Sequence, residues 1–482
     1  MAQFNPGEVV IEKAELISYD GGTRRDINSN IIYGWTITQS MNTVAYSGSI
    51  SVMDTAGLLE GMPIRGEETL NFWVKGMDLD TSFKIAAVVH RVTDVNILAS
   101  SNGYTYKLHF VSKQSFKAST KKITTAFLDT PSEMARIMFQ QTYGELGTGN
   151  YADPDDDTKD LPYEAQSYPI IKSGDSSNEP DRNFVVSPSK NRTTLIIPDL
   201  SASEAQFFAA SRAYNPASPS QTFRFFETLE NYYFCTDEYF IKKANNNTAK
   251  ILDMFFAPVV DQSGSNAIAS VERIDEIHVI AKGVDSSTDL NSGAYTNEVV
   301  EVDFIRRSFN ISKFNYDDAQ YIDMTGQPRG NLDNPHTEQY RTDNFTDNNA
   351  RRFMVMKHFD SQGDAPSELL PDQNTADIVH NRVSYYHHLN STSLIAVTKG
   401  RLDVRPGMLI NLDIKNIDGV DANVLRNATM SGRYLVQQTV HEVSGSSLTT
   451  TIKIAKFDFS GADKDIVTTT DMPAGPGGNG GV

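Results

Sequence analysis

Residues 41–74 read MNTVAYSGSISVMDTAGLLEGMPIRGEETLNFWV and carry the first clear strand pattern of the chain. Polar and apolar residues alternate in GSISVMD and again in TLNFWV, and alternation of period two predicts half-buried antiparallel strands. A segment punctuated by Gly and Pro separates the two runs, and we interpret it as a connection that crosses from one strand to the next. The residues expected on its buried side are Leu58, Leu59, Met62 and Ile64.

A similar phrase, GRLDVRPGMLINLDI, returns at residues 400–414 near the other end of the chain. It again places Gly and Pro before an alternating strand, whose apolar face would hold Met408, Ile410, Leu412 and Ile414. Matches this short also arise by chance. The two phrases therefore suggest an internal repeat only as a hypothesis about how the chain is organised.

Strands predominate in the rest of the sequence. Residues 30–115 predict closely spaced strands, and YTYKLHFVS alternates most clearly among them. Further strand-like runs occupy 271–310 and the segment that follows a helix near Thr375. The run RFFETLENYYFCTDEYFI at 224–241 predicts a strand hairpin. These features predict a β-rich α+β fold.

Helix signals interrupt the strands at three places. Thr130 is followed by Glu133 and Ser201 by Glu204, the spacing of a capping box at a helix start. A third helix is predicted to begin near Thr375, with Val379, Val383 and Tyr386 on one side. The chain therefore contains mixed α/β material between two β-rich ends.

The composition limits the function classes. The chain has 482 residues, enough for about three domains. Its formal net charge is −18, from 43 basic and 61 acidic residues, and an acidic surface repels phosphate. Stable nucleic-acid binding is therefore not expected, although DNA could pass such a surface without adhering to it. The single cysteine, Cys235, excludes an intramolecular disulfide and is expected in the core.

Targeting and membrane signals are not expected in this sequence. MAQFNPGEVV has no basic region followed by an apolar stretch, so no signal peptide is predicted. No apolar run approaches the roughly 20 residues that a membrane-spanning helix needs.

One acidic loop, DPDDDTKDLPYE at 153–164, has the carboxylate spacing of a calcium loop. Asp153, Asp155, Asp157 and Glu164 occupy positions 1, 3, 5 and 12, and carboxylates in this arrangement can surround a hard cation. Thr158 stands where such loops have Gly, and two prolines interrupt the segment. Both a cation site and a solvated acidic loop remain open, and we expect the second.

Catalytic motifs are weak. SGDSSNEPD at 173–181 would offer Ser176 as a nucleophile, but no sequence context marks a histidine as its base. His380, His387 and His388 lack the spacing of a metalloprotease motif and are interpreted as helix-face or interface residues. We therefore assign no catalytic, cofactor-binding or metal-binding residue and expect no cofactor and no enzymatic activity.

The ordered motifs along most of the chain resemble the baseplate central hub proteins of contractile-tailed bacteriophages of the T-even type. The resemblance is carried by SGSISVMDTAGLLEGMPIRGEETLNFWV at 47–74, the PSEMARIMFQQTYG helix, the helix and hairpin at 201–237, and the strands at 401–457. The polar stretches at 144–191 and 312–374 carry no part of it.

The resemblance implies a structural role. Hub proteins of this family form homotrimeric rings in which each chain contributes two barrels resembling the tail-tube subunit. The pseudo-sixfold ring joins a hexameric tail tube, or a tube-initiator protein, to the trimeric central spike protein, and it also contacts other baseplate wedge proteins. The expected location is the tail baseplate of a virion that is assembled in the host bacterial cytoplasm.

The resemblance also divides the chain into domains. The expected parts are a first tube-like antiparallel β-barrel (1–115), a mixed α/β middle domain (116–270) with a polar excursion (144–191), a second tube-like barrel (271–310 and 375–460), a polar insertion (311–374) and a flexible C-terminal tail (461–482).

Other functions remain open at the level of sequence. The closest alternative is the hub of a non-viral contractile injection system, which the sequence hardly separates from a phage hub. A hydrolase acting on the cell envelope, with Ser176 or the acidic loop at its centre, belongs to a different class. A glycan-binding β module is a third possibility.

Overall fold

The computed structural model has a β-rich α+β fold, as the sequence predicts. None of the sheets among the described residues closes into a barrel. The structure describes residues 7–27, 31–55, 57–62, 64–76, 82–98, 103–151, 165–172, 180–246, 249–256, 272–281, 288, 291–304, 307–316, 321–326, 351–356, 374–414 and 430–457.

The first strands form an antiparallel N-terminal module. Its elements are β1 (Val9–Ile17), β2 (Arg24–Asp26), β3 (Ile32–Ser40), β4 (Ser47–Asp54), α1 (Leu58–Gly61), β5 (Thr69–Gly76), β6 (Ser82–Leu98) and β7 (Gly103–Ser112). The strand order is β3-β4-β7-β6-β5-β1-β2. Tyr106, Leu108 and Phe110 of β7 are buried at every second position, which confirms the predicted alternation. Phe110 contacts Phe72 edge-on, with 5.7 Å between ring centroids.

A middle region of shorter elements follows. They are α2 (Lys113–Ser119), β8 (Lys122–Ile123), β9 (Ala126–Asp129), α3 (Pro131–Thr142), β10 (Asn150–Tyr151), β11 (Gln166–Pro169), β12 (Asn183–Val186), β13 (Thr193–Ile196), β14 (Leu200–Ser201), α4 (Ala202–Arg212), β15 (Arg224–Glu227), β16 (Asn231–Cys235) and α5 (Asp237–Asn245). A five-stranded sheet has the order β10-β11-β12-β16-β15. Phe139 of α3 stacks on Phe184 of β12, with 4.2 Å between centroids.

The two helix starts in this region are confirmed. The Thr130 hydroxyl accepts a hydrogen bond from the Glu133 backbone N–H, at 3.4 Å. Ser201 and Glu204 form a reciprocal capping box, in which each side chain accepts from the backbone N–H of the other residue. These contacts satisfy backbone donors that the first helical turn leaves free.

Two segments of the middle region differ in detail from the sequence reading. The 224–241 run forms the expected hairpin through β15 and β16, but α5 begins at Asp237, so its last residues are helical rather than extended. Within 144–191, the described residues supply strands β10, β11 and β12. Buried Cys235 ends β16, as expected for a core residue.

The C-terminal module carries a long insertion. Its elements are β17 (Leu252–Phe256), β18 (Ile274–Ala281), β19 (Thr296–Asp303), β20 (Ser308–Asn315), β21 (Arg351–Met356), α6 (Thr375–Leu389), β22 (Thr392–Lys399), β23 (Leu409–Ile414), β24 (Gly432–Ser444) and β25 (Ser447–Lys456). The inserted strands form a separate sheet of order β20-β19-β21, against which α6 packs.

Helix α6 begins at Thr375 as predicted, but the side that carries Val379, Val383 and Tyr386 is not its most buried one. Val379, Val383 and Tyr386 are only half-buried. The helix instead buries a face that includes His380, Ser384, Tyr385, His388 and Leu389.

The two terminal modules are continuous through backbone pairing. Strand β3 of the N-terminal module pairs antiparallel with β24 of the C-terminal module, which produces one sheet of 13 strands. Backbone hydrogen bonds also join Val9 to Ser446 and Leu448 to Gly7.

Candidate assembly interface

The N- and C-terminal modules share one strand order. In chain order, six strands of the first module (β1, β3, β4, β5, β6, β7) and six of the second (β17, β18, β22, β23, β24, β25) can be labelled a to f. Across the sheet, both sets follow the order a-d-e-f-c-b. The structure thus contains the internal repeat that the sequence only suggested.

Irregularities in the strands repeat as well. In strand e, the register with strand f shifts between Val89 and Arg91 in the first module and between Val436 and Gln438 in the second. In strand b, the register with strand c shifts between Ile32 and Gly34, and again between Ile274 and Glu276. Because a bulge is a local feature of one position in a strand, these coincidences extend the similarity from strand order to register.

Strand a is the main difference between the modules. It runs antiparallel to strand d in the first module, where β1 pairs with β5. In the second module β17 runs parallel to β23.

The two Gly- and Pro-containing phrases occupy equivalent positions. Residues 55–68 and 400–408 each connect strand c to strand d, which lie on opposite sides of the e–f hairpin. Met62 is buried, and Leu58, Leu59 and Ile64 pack half-buried against the same core, so the predicted inner side of the first crossing is confirmed. In the second crossing, Leu402 and Val404 are buried.

The second crossing segment also contacts the first module. Leu402 belongs to the core of the N-terminal module, whereas Val404 belongs to that of the C-terminal module. The Arg405 guanidinium lies 4.0 Å from the ring centroid of Phe83 in β6. The modules therefore share packed side chains as well as a sheet.

The internal seam, defined here as residues 34–40 of β3 paired with residues 438–444 of β24, is a b–e contact between the two modules. One side of β24 is divided between two partners. Residues 432–435 pair with strand d of the same module, and residues 438–444 pair with strand b of the other. Trp35 lies opposite Val443, and their exposed fractions are 2% and 4%.

Some buried polar groups in the seam have hydrogen-bond partners, whereas Trp35 Nε1 and His441 Nε2 have none among the residues that the structure describes. Gln39 donates to Thr439 at 3.5 Å, and its side-chain oxygen accepts from the Leu229 backbone N–H at 2.9 Å. His441 Nδ1 lies 3.1 Å from the Thr450 hydroxyl. Burial, aided by the Arg405 charge, lowers the pKa of His441 to about 3, so this histidine is neutral near pH 7.

The counterparts of the seam strands lie at exposed edges. In the first module, residues 82–88 of strand e pair with β5, and the strand then continues past the end of β5. Beyond Val89, no strand among the described residues pairs along this side, which we call the β6 edge. In the second module, strand b is β18, the last strand of the large sheet, and its outer side is called the β18 edge.

Both edges expose aliphatic side chains. Val95 and Ile97 are exposed on β6, and Val279 and Ile280 are exposed on β18. Long strands with exposed apolar residues at a sheet edge tend to pair with another chain. These two edges are therefore candidate contact surfaces.

The inserted sheet presents a second apolar surface. Phe309, Val302 and Met356 form one cross-strand row, and the adjacent row holds Ile311, Val300 and Met354. The four residues on the outer strands are exposed. A contiguous apolar surface of this kind is typical of a protein contact site.

The acidic loop with Asp153, Asp155, Asp157 and Glu164, and the loop with Ser176, lie outside the described residues. The described part of the chain contains no cluster of three or more His, Cys, Asp or Glu side chains able to hold a metal ion.

His380, His388 and Cys235 are buried packing residues. His380 is buried beside Asn297 and lies 2.9 Å from the Ser312 hydroxyl, and burial lowers its pKa to about 4. The His388 ring lies 4.0 Å from the Tyr316 ring centroid. Burial raises the pKa of the Cys235 thiol to about 12, which keeps it protonated and unreactive.

Among the helices that the structure describes, none has the length and apolar character required to cross a membrane.

Solved structures of tail proteins are similar to this chain at low identity. The tail protein from Neisseria meningitidis MC58 superposes with a TM-score of 0.48 and 9% identity, over 92% of this chain and 96% of that one. The 43 kDa tail protein of prophage MuSo2 from Shewanella oneidensis gives 0.45 and 8%, over 93% and 100%. An E. coli type VI secretion system component gives 0.37 and 8%, over 93% and 77%. The sequence matches no protein-family model and no curated protein.

Proposed function

We propose that this protein is the structural hub of a contractile phage-tail baseplate. In this proposal three chains form a ring, and each chain contributes two tube-like β modules. The repeated a-d-e-f-c-b module, present twice in one chain and joined by a b–e seam, is the observation that carries the proposal.

The repeat provides a way to match two symmetries. Contacts between unlike surfaces of identical chains close into rings when the rotation between neighbours allows it. A ring of three chains with two similar modules each offers six similar surfaces to a hexameric tail tube or tube-initiator protein. The same ring is strictly threefold and can bind a trimeric central spike protein. Other baseplate wedge proteins would contact its periphery.

The charge of the chain agrees with this role. With a net charge of −18, the protein is not suited to holding DNA, and a ring of such chains would let DNA pass without adhering. We accordingly propose a virion location, in the tail baseplate, with assembly in the host bacterial cytoplasm and no enzymatic activity. The hub of a non-viral injection system would use the same ring geometry.

The proposal is tested by the mass and shape of the assembled protein. Light scattering near pH 7 in physiological salt should give three times the 53.4 kDa chain mass for the protein alone, or a complex that contains three copies of this chain when tube and spike proteins are added. Electron microscopy should show a ring of six lobes. A protein that stays a single chain in both measurements, with both partners present, would contradict the proposed function.

A further inference from the structure

We propose that β18 of one chain pairs antiparallel with the β6 edge of the next chain, so that the sheet continues from copy to copy. This inference rests on the proposed function insofar as the partner is a second copy of this chain. It assigns the contact between copies to two strands and to a register.

The internal seam is the template for this contact. Inside the chain, strand b of the first module fills the part of strand e that strand d leaves uncovered in the second module. Among the residues that the structure describes, the first module has the same uncovered part, residues 91–97 of β6, and strand b of the second module, β18, has a strand neighbour only on the side of β22. One b–e pair is thus formed within the chain, and one strand of each kind is left at an edge.

The register follows from cross-strand rows that the modules share. In the first module Trp35, Ile50 and Leu108 lie opposite one another on strands b, c and f. Phe110 and Ile454 are equivalent positions of strand f, because each pairs with the residue before the bulge in strand e. Two residues earlier in strand f, Leu108 is therefore equivalent to Ile452. The row through Ile452 continues to Ala396 on strand c and Ile277 on strand b. Ile277 is therefore the equivalent of Trp35.

The receiving position on β6 follows in the same way. In the second module Val443 pairs with Leu448, and the equivalent pair in the first module is Ile97 and Tyr104. Since Trp35 lies opposite Val443 in the internal seam, Ile277 of one chain should lie opposite Ile97 of the next. A neighbouring pair would be His278 with Asn96, corresponding to Thr36 with Glu442.

Exposure agrees with this register. Ile97 is 76% exposed, whereas its equivalent Val443 is only 4% exposed in the internal seam. Burying Ile97 against Ile277 would make the contact between copies resemble the one within the chain. Because each chain then offers strand b at one end and accepts it at the other, the contact is head-to-tail and can close into a ring.

Disulfide trapping tests the pairing. Residues directly opposite in antiparallel strands have Cβ atoms about 4.5–5.5 Å apart, close to disulfide range. The wild-type cysteine is buried, so it does not compete. An equal mixture of the single variants Ile97→Cys and Ile277→Cys should give a covalent two-chain product under mild oxidation. The double variant should give linked species up to three chains.

A matched control uses another exposed isoleucine. Ile196 lies on β13, which pairs with β9 outside the large sheet, and it is 69% exposed. A mixture of Ile196→Cys and Ile277→Cys should give no more product than either variant alone. If Ile97→Cys and Ile277→Cys also give only that background, the proposed pairing is wrong.

A charge at the β6 edge provides an independent measurement. Ile97→Lys should shift the mass distribution from the ring toward single chains at concentrations where the wild type is assembled, while the melting temperature of the single chain is unchanged. Ile196→Lys should leave the mass distribution unchanged.

The mass measurement separates the two proposals. A three-chain ring without the Ile97–Ile277 link, and insensitive to Ile97→Lys, would overturn the strand pairing but leave the hub function standing. A protein that never assembles would overturn both.

Discussion

The internal seam and the two exposed edges are formed by equivalent strands, b and e, of the two modules. At the seam, strand b of one module covers strand e of the other, and the opposed residues Trp35 and Val443 are buried. At the β6 edge, the equivalent of Val443 is Ile97, which is 76% exposed, and at the β18 edge the equivalent of Trp35 is Ile277, which is half-buried. In the part of the chain that the structure describes, the repeat therefore leaves one strand b, β18, and one part of a strand e, in β6, without a strand neighbour on the outer side.

The largest expected effect comes from opening the seam. Trp35→Ala removes a buried aromatic side chain opposite Val443 and should lower the free energy of unfolding by about 3–5 kcal/mol. Urea denaturation of the dilute single chain would measure the loss. An unchanged denaturation midpoint would mean that the seam does not hold the modules together.

A smaller loss should follow Gly48→Ala in strand c. A Cβ there would lie 2.1 Å from the Thr36 backbone oxygen and 2.5 Å from the Phe110 ring, whereas the second module has Leu394 at the equivalent position. We expect a loss of about 1–3 kcal/mol because the packed strands must shift. At Gly144, where the nearest atom would be 3.5 Å away, the same change should cost less. Equal melting temperatures for the two variants would contradict this comparison.

The seam should also weaken in acid. His441 has a pKa of about 3 in the folded chain, against an ordinary value of 6.5 when unfolded, so the unfolded state binds its proton first as the pH falls. Stability is therefore lost below pH 6.5, by about 2 kcal/mol at pH 5. Denaturation of wild type and His441→Gln at pH 7 and pH 5 should show a smaller pH-dependent loss in the variant. Parallel losses would exclude His441 as the source.

The smallest expected effect on folding is at the exposed counterpart. Ile97→Ala should change the unfolding free energy of a single chain by no more than about 0.5 kcal/mol, because the side chain is largely exposed. It should nevertheless reduce the assembled fraction in light scattering. A loss of folding stability comparable to that of Trp35→Ala would show that Ile97 is already buried within one chain.

Sequence periodicity identified the strands and helices with strong local signals. YTYKLHFVS, the capping boxes at Thr130 and Ser201, and the inner side of the first crossing segment were all predictable, because each depends on neighbouring residues. The buried side of α6 was not predictable in this way, since it includes His380, Ser384 and His388, whose burial depends on partners far along the chain. Apolar periodicity cannot detect such partners.

The candidate interface was predictable only in outline. The phrases at 41–74 and 400–414 pointed to two related modules, but the strand order depends on pairings between residues up to about 400 positions apart, such as Gln39 with Thr439. The sequence also does not show which strands lie at a sheet edge. The alternation in VTDVNIL of β6 predicts a strand, but it does not indicate whether a second strand pairs along its outer side. Only the paired strands reveal which side has no neighbour.

The reversed direction of strand a has a consequence for what a ring of these chains can display. Strands b to f have the same order in both modules, so a partner that binds them would find six similar binding surfaces in a ring of three chains. Strand a is antiparallel to strand d in one module and parallel to it in the other, so a partner that binds strand a would find only three equivalent surfaces in that ring. In the proposed ring of three chains, one kind of chain could thus present six similar surfaces through strands b to f and three equal surfaces through strand a.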